Sequence, residues 1–143
     1  DKVLEHDSGN VKTMITAANT ALMADMPEQA AAYFYHAHYL NPDMKEATRG
    51  AAWAELMSGH TDKADTLYGE LLKSESDMTD MLNAGHVSYL SGRIEEAVSR
   101  YRAAARMNQS DFELAYVADI PVLLKLGADP QGIRLLLDEV LDQ

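Results

Sequence analysis

Along most of the chain, apolar residues recur at steps of three and four, the spacing of one face of a helix. The clearest stretch is residues 78–109, MTDMLNAGHVSYLSGRIEEAVSRYRAAARMNQ. Leu82, Gly85 and Tyr89, with Leu90 beside the last, mark one helix. Ala97, Tyr101 and Ala104 mark a second. Ser91-Gly92 between them predicts a stop, because glycine accepts the left-handed backbone at a helix end. Ala97 and Ala104 are small enough to let another helix approach, and Tyr101 is large enough to fill the space between them.

The pattern returns in both directions. A step back of 33 residues carries Gly92 to Gly59, Ala97 to Ala64 and Tyr101 to Tyr68. A further 34 carries Ala64 to Ala30 and Tyr68 to Phe34. A step forward of 35 carries Gly92 to Gly127 and Tyr101 to Leu136, with Gly132 where an alanine is expected. Helix starts are predicted at Asp25-Met26-Pro27-Glu28, Asp43-x-x-Glu46 and Ser110-x-x-Glu113, with Asp25, Asp43 and Ser110 as caps. Gly59 ends one helix, and the next follows His60 or Thr61 through Ala64, Leu67, Tyr68 and Leu71. Pro121 predicts a kink or break near Ile120, since proline removes a helical hydrogen bond and crowds the preceding turn. Asp129-Pro130 opens a final helix bearing Ile133, Leu136, Leu137, Val140 and Leu141. The expectation is seven or eight helices and no sheet.

The unit at 78–109 resembles a tetratricopeptide repeat, a helix-turn-helix of about 34 residues. With Met78 as position one, Gly85, Ala97, Tyr101 and Ala104 stand at the family's positions eight, twenty, twenty-four and twenty-seven. Gly92-Arg93 followed by Glu95-Glu96-Ala97 matches its turn. Ala37 and Pro42 match the later positions of the first unit. Met81 replaces the usual tryptophan and Gln109 the usual proline. The resemblance implies an all-α fold, an α-solenoid of antiparallel helix pairs wound as a right-handed superhelix. Its repeats would be 11–43, 44–77 and 78–109, closed by a divergent capping repeat at 110–143. A terminal repeat must cover the core without a new sticky face. Residues 1–10 read as the end of a preceding repeat. There Val3 and Leu4 belong to a poorly covered helix and Asp7-Ser8-Gly9-Asn10 to a turn, so the chain is expected to be a piece of a longer protein. The tail LGADPQGIRLLLDEVLDQ is also similar to the ends of large cytoplasmic repeat proteins of some bacteria.

Length and charge narrow the function. At 143 residues the chain is long enough to bury a core. Its net charge of −11 opposes binding to nucleic-acid phosphates and to anionic lipid, and favours a basic or apolar partner. No apolar run approaches the roughly 20 residues of a membrane span. The absence of cysteine removes disulfides, thiol nucleophiles and thiolate metal ligands, and fits a reducing compartment such as the cytoplasm.

Motifs for chemistry are missing: there is no GxxxxGK, GxSxG or HExxH. His36 and His38 are two apart and point to opposite sides of a helix, so they cannot grip one metal. Glu95-Glu96 and Asp138-Glu139 are neighbours that do not face each other. Met14, Met57, Met81 and Met107 read as core filling. Neither catalysis nor a cofactor nor a metal is expected.

The resemblance implies a different kind of site, a concave groove lined by the first helices of successive units. Its positions fall on Lys12, Ile15, Asn19, Leu22 and Met23; on Glu46, Arg49, Trp53, Leu56 and Met57; and on Thr79, Leu82, His86, Tyr89 and Leu90. Aromatic and arginine side chains make good binding anchors. The expected partner-binding set is therefore Asn19, Leu22, Arg49, Trp53, Leu56, His86 and Tyr89. The plainer readings make Trp53 a packing residue and Tyr89 helix filler. The clamp that chaperone-tail-binding members use for a C-terminal carboxylate is incomplete, since Thr16 follows Lys12 at its spacing and Gly50 occupies the equivalent place in the second unit. The reading is a protein-interaction module for a peptide or protein partner, with no oligomeric state specified. Two alternatives are a small acidic secretion chaperone and a non-catalytic segment of a larger enzyme or sensor.

Overall fold

The computed structural model describes the backbone of residues 2–74 and 76–142, and the side chains of residues 10–74 and 76–142. Among the described residues there are eight helices and no strand. They are α1 (Lys2–Met23), α2 (Pro27–Leu40), α3 (Lys45–Met57), α4 (Thr61–Leu72), α5 (Met78–Leu90), α6 (Ile94–Met107), α7 (Gln109–Lys125) and α8 (Pro130–Leu141). The chain divides into two compact units, Asp1–Leu67 and Tyr68–Gln143.

The repeat is written most plainly in its turns. Gly59, Gly92 and Gly127 take φ of 82°, 82° and 103°, and Asp25 takes 58°. Each sits at the end of a first helix and is stapled by the same two hydrogen bonds. The residue after it donates to a carbonyl five residues back: Met26 to Ala21, His60 to Glu55, Arg93 to Ser88, Ala128 to Leu123. The residue itself donates three back, to Leu22, Leu56, Tyr89 and Leu124. This is the Schellman ending, and it requires a left-handed residue. Asp25, expected to cap α2, instead does the job of the three glycines; Met26 is the N-cap and makes no side-chain cap bond.

Other caps also differ from expectation. Met44, not Asp43, precedes α3 and makes no side-chain cap bond. Asn108, not Ser110, caps α7 by accepting from the Asp111 amide at 3.0 Å. Asp77 and Asp80 form an unforeseen capping box at α5, where aspartate does the work usually given to glutamate. Asp129 caps α8 as expected, accepting from the Gly132 amide at 2.7 Å. Only at α7 does a neighbouring polar residue, Asn108, take over the cap; at α2 and α3 the N-cap position falls on a methionine and no side chain caps the helix. Helix α7 runs unbroken through Pro121. The carbonyl that loses its partner belongs to Val117, which is exposed, so water can serve it. Helix α1 likewise runs unbroken through Asp7–Asn10, where a turn was expected. Nothing there excludes a helix, because one mid-helix glycine costs only about 1 kcal/mol. The expected uncovered face at Val3 and Leu4 lies outside the described side chains.

Unit 1 packs α1 on α2 and α2 on α3. Its core is built from alanines around a few larger groups. Ala18, Ala21, Ala30, Ala31, Ala37, Ala47, Ala51 and Ala54 are buried with Val11, Ile15 and Phe34. A β-carbon added to Gly50 would collide with the Phe34 ring. Unit 2 packs α5 on α6, with α7 and α8 against them. Its core is aromatic. The Tyr101 and Tyr116 rings meet edge to face with centroids 5.2 Å apart, and Phe112 lies 5.7 Å from Tyr116. Gly85 lets Tyr101 in: a β-carbon there would stand 2.6 Å from its ring. The small and large roles assigned to Gly85, Ala97, Tyr101 and Ala104 thus appear as contacts.

Candidate partner-binding site

Within unit 1, α1 and α3 are first helices and touch each other. Along α1, Lys12 and Asn19 are exposed, Ile15 is buried, Leu22 is half-buried against the core and Met23 is 89% exposed. Along α3, Glu46 is exposed while Arg49, Trp53 and Met57 are half-buried. Leu56 is not a surface residue: it is fully buried beside Ala52, Ala54 and Glu55. The alanines flanking Trp53 go fully inside while the indole stays half out, so Trp53 is neither a plain core residue nor a plain surface one.

In unit 2 the expected set moves further inward. Leu82 and His86 are buried; Tyr89 and Leu90 are half-buried. His86 was expected to face a ligand. It lies instead in the core, where the Tyr101 hydroxyl is 2.7 Å from Nδ1 and Asp119 Oδ2 is 2.9 Å from Nε2. A neutral ring satisfies both: Nε2–H donates to Asp119, and Nδ1 accepts from Tyr101. Burial holds the Tyr101 phenol well above its ordinary pKa, so it keeps its proton to donate. Position alone could not reveal this, because Asp119 is 33 residues away in sequence. Tyr89 lines a cleft of about 220 Å³ with Leu90, Ile94, Leu126, Gly127, Ala128 and Asp129. Partial burial and then the Asp129 charge raise its pKa.

Two further features were not read from the sequence. A cleft of about 290 Å³ lies in unit 1, lined by Ala17, Thr20, Ala21, Ala24, Met26, Gln29 and Tyr33. Its signal was the run of small residues at 17, 20, 21 and 24, one helical face. The second is Glu55, a carboxylate only 3% exposed. It accepts from the Tyr35 hydroxyl at 2.7 Å, pairs with His60 Nδ1 at 3.0 Å, and has Lys63 Nζ at 4.0 Å. Burial alone would raise its pKa, but the hydrogen bonds from His60 and Tyr35 and the Lys63 charge outweigh burial and lower it.

His36 is exposed, and His38 is half-buried with Nδ1 3.3 Å from the Thr48 hydroxyl. Met14 and Met81 pack on the cores, whereas Met107, expected there too, is 49% exposed near the end of α6. No three described His, Asp or Glu residues are grouped to hold a metal. No helix among the described residues is long and apolar enough to cross a membrane.

Neither the protein-family models nor the curated proteins contain a match to this chain. Among solved structures it is similar to the tetratricopeptide-repeat (TPR) domain of Arabidopsis OM64. The two superpose with a TM-score of 0.71 at 19% identity, over 81% of this chain and 96% of that one. The chain has the TPR fold. The all-helical repeat class expected from the spacing of Gly59, Gly92 and Gly127 is the class observed.

Proposed function

We propose that this TPR-fold chain is a non-catalytic interaction module that binds a peptide or protein segment on the first-helix surface of unit 1. The observation that carries this reading is Trp53, the single tryptophan of the chain, half exposed on α3 with Arg49 one turn before it. Asn19 on the neighbouring α1 adds an exposed amide, and half-buried Leu22 adds apolar surface. Indole and guanidinium groups are the side chains that most often dominate binding energy. Tyr89 in its unit 2 cleft is a second, separate anchor in this reading. Leu56 and His86 drop out as contacts because they are buried. The cysteine-free, acidic sequence supports a basic or apolar partner and a reducing compartment, the cytoplasm.

The test uses the lone indole as its own reporter. Peptides selected from a random display library against the chain should shift Trp53 fluorescence on binding. Trp53→Ala should weaken that binding by at least about tenfold while the melting temperature changes little. A melting temperature that collapses while affinity of the folded fraction is unchanged would assign Trp53 to packing and overturn the reading.

A further inference from the structure

The outside of α7 carries an apolar row. Leu114, Val117 and Leu124 are 72%, 54% and 39% exposed, and Pro121 between them is exposed as well. The other side of the helix, with Phe112, Tyr116 and Leu123, is buried in unit 2. A closing repeat was expected to present a face without such residues. Single exposed leucines are ordinary, but a contiguous row on one helix side marks an interaction surface.

The spacing indicates what covers it. The four residues are separated by three, four and three positions, a pattern that reads the same from either end. A second α7 laid antiparallel therefore brings Leu114 level with Leu124 and Val117 level with Pro121. It does so twice, as a two-fold interface requires. The end charges agree with this direction. Exposed Asp111 and half-buried Glu113 stand at the N-terminal end of the row, and exposed Lys125 stands at the C-terminal end. Antiparallel pairing joins acid to base at both ends, whereas parallel pairing joins like charges. Ala118, exposed near the centre of the row, leaves room for close approach. The net charge of −11 on each copy opposes association, but at physiological salt charges are screened beyond roughly 8 Å. The row covers only about 15 Å of helix, so the pairing is weak and reversible.

We propose that the α7 row is a self-association surface, through which two copies of this chain pair about a two-fold axis at the level of residue 119. It involves unit 2 and uses none of the residues assigned to the unit 1 partner surface.

Sedimentation equilibrium from low to high micromolar concentration tests this on the chain itself. A monomer–dimer equilibrium is expected, and Leu114→Glu should weaken it at least about tenfold with helicity unchanged, since Leu114 is not part of the core. The direction is tested with two single-cysteine variants, Leu114→Cys and Leu124→Cys, in a chain that has no cysteine of its own. When the two are mixed and oxidised, the mixed disulfide should form faster than either like pair. A chain that stays monomeric throughout overturns the proposal. So does a dimer that Leu114→Glu leaves intact, or a mixed disulfide that forms no faster than the like ones. A monomer whose row instead binds an added amphipathic helical peptide overturns it in favour of a heterologous partner.

Discussion

The two units build the same helical hairpin from different materials. In unit 1 the buried face is mostly alanine, so backbones come close, and among the described residues Phe34 is its one fully buried ring. In unit 2 three rings, Tyr101, Phe112 and Tyr116, fill the centre, and polar groups go in with them. Tyr116 donates to the Ile133 carbonyl at 2.7 Å, and Tyr101 is held by His86. The repeat thus specifies that a small residue must face a large one, not how much volume is shared. The consequence is energetic. An alanine core has little to lose from any one truncation. A core of hydrogen-bonded rings loses both volume and polar satisfaction when one ring is removed.

The largest expected effect follows from that contrast. Tyr101→Ala should destabilise the fold by about 3–5 kcal/mol, the range for emptying an aromatic site. Tyr101→Phe keeps the ring but leaves His86 Nδ1 buried without its donor, and should cost about 1–3 kcal/mol. Chemical denaturation of both variants checks the order. If Tyr101→Phe is neutral, the polar half of the contrast fails.

A smaller effect concerns the turns. Asp25 holds the left-handed position that glycine holds in the other three endings. Asp25→Gly removes that backbone strain and should stabilise unit 1 by about 0.5–1 kcal/mol, whereas Gly92→Ala in unit 2 should destabilise by a similar amount. Melting temperatures of the two variants should move in opposite directions. Parallel shifts would show that the turns are not equivalent.

The smallest effect depends on pH. Because its pKa is lowered in the fold, Glu55 stabilises unit 1 above the ordinary carboxylate value of about 4.3. That contribution is lost as pH falls through the lower folded value. Glu55→Gln should therefore narrow the stability difference between neutral and acidic solution, as seen in denaturation midpoints at the two pH values. An unchanged difference would mean that the Tyr35, His60 and Lys63 contacts do not discriminate between the charged and neutral carboxyl.

The sequence by itself determined the helical class, the helix count to within one and the positions of three of the four left-handed turns. Those properties are local. A glycine at a fixed interval and an apolar step of three and four act through backbone conformation and one helix face, so they survive translation along the chain. It also identified which residues would be small and which large at the core of unit 2, since Gly85 and Tyr101 interlock within one repeat. Only the tertiary structure decided which expected groove residues reach the surface. Trp53 stays half out, while Leu56 and His86, equally plausible on the same helical positions, go in. Burial is set by what lies across from a side chain, and for His86 that is Tyr101 and Asp119, brought to it from 15 and 33 residues away. The caps were displaced for a related reason, because the loop geometry decides which residue stands at the N-cap: at α7 it is Asn108, which reaches the free Asp111 amide, and at α3 it is Met44, which caps nothing.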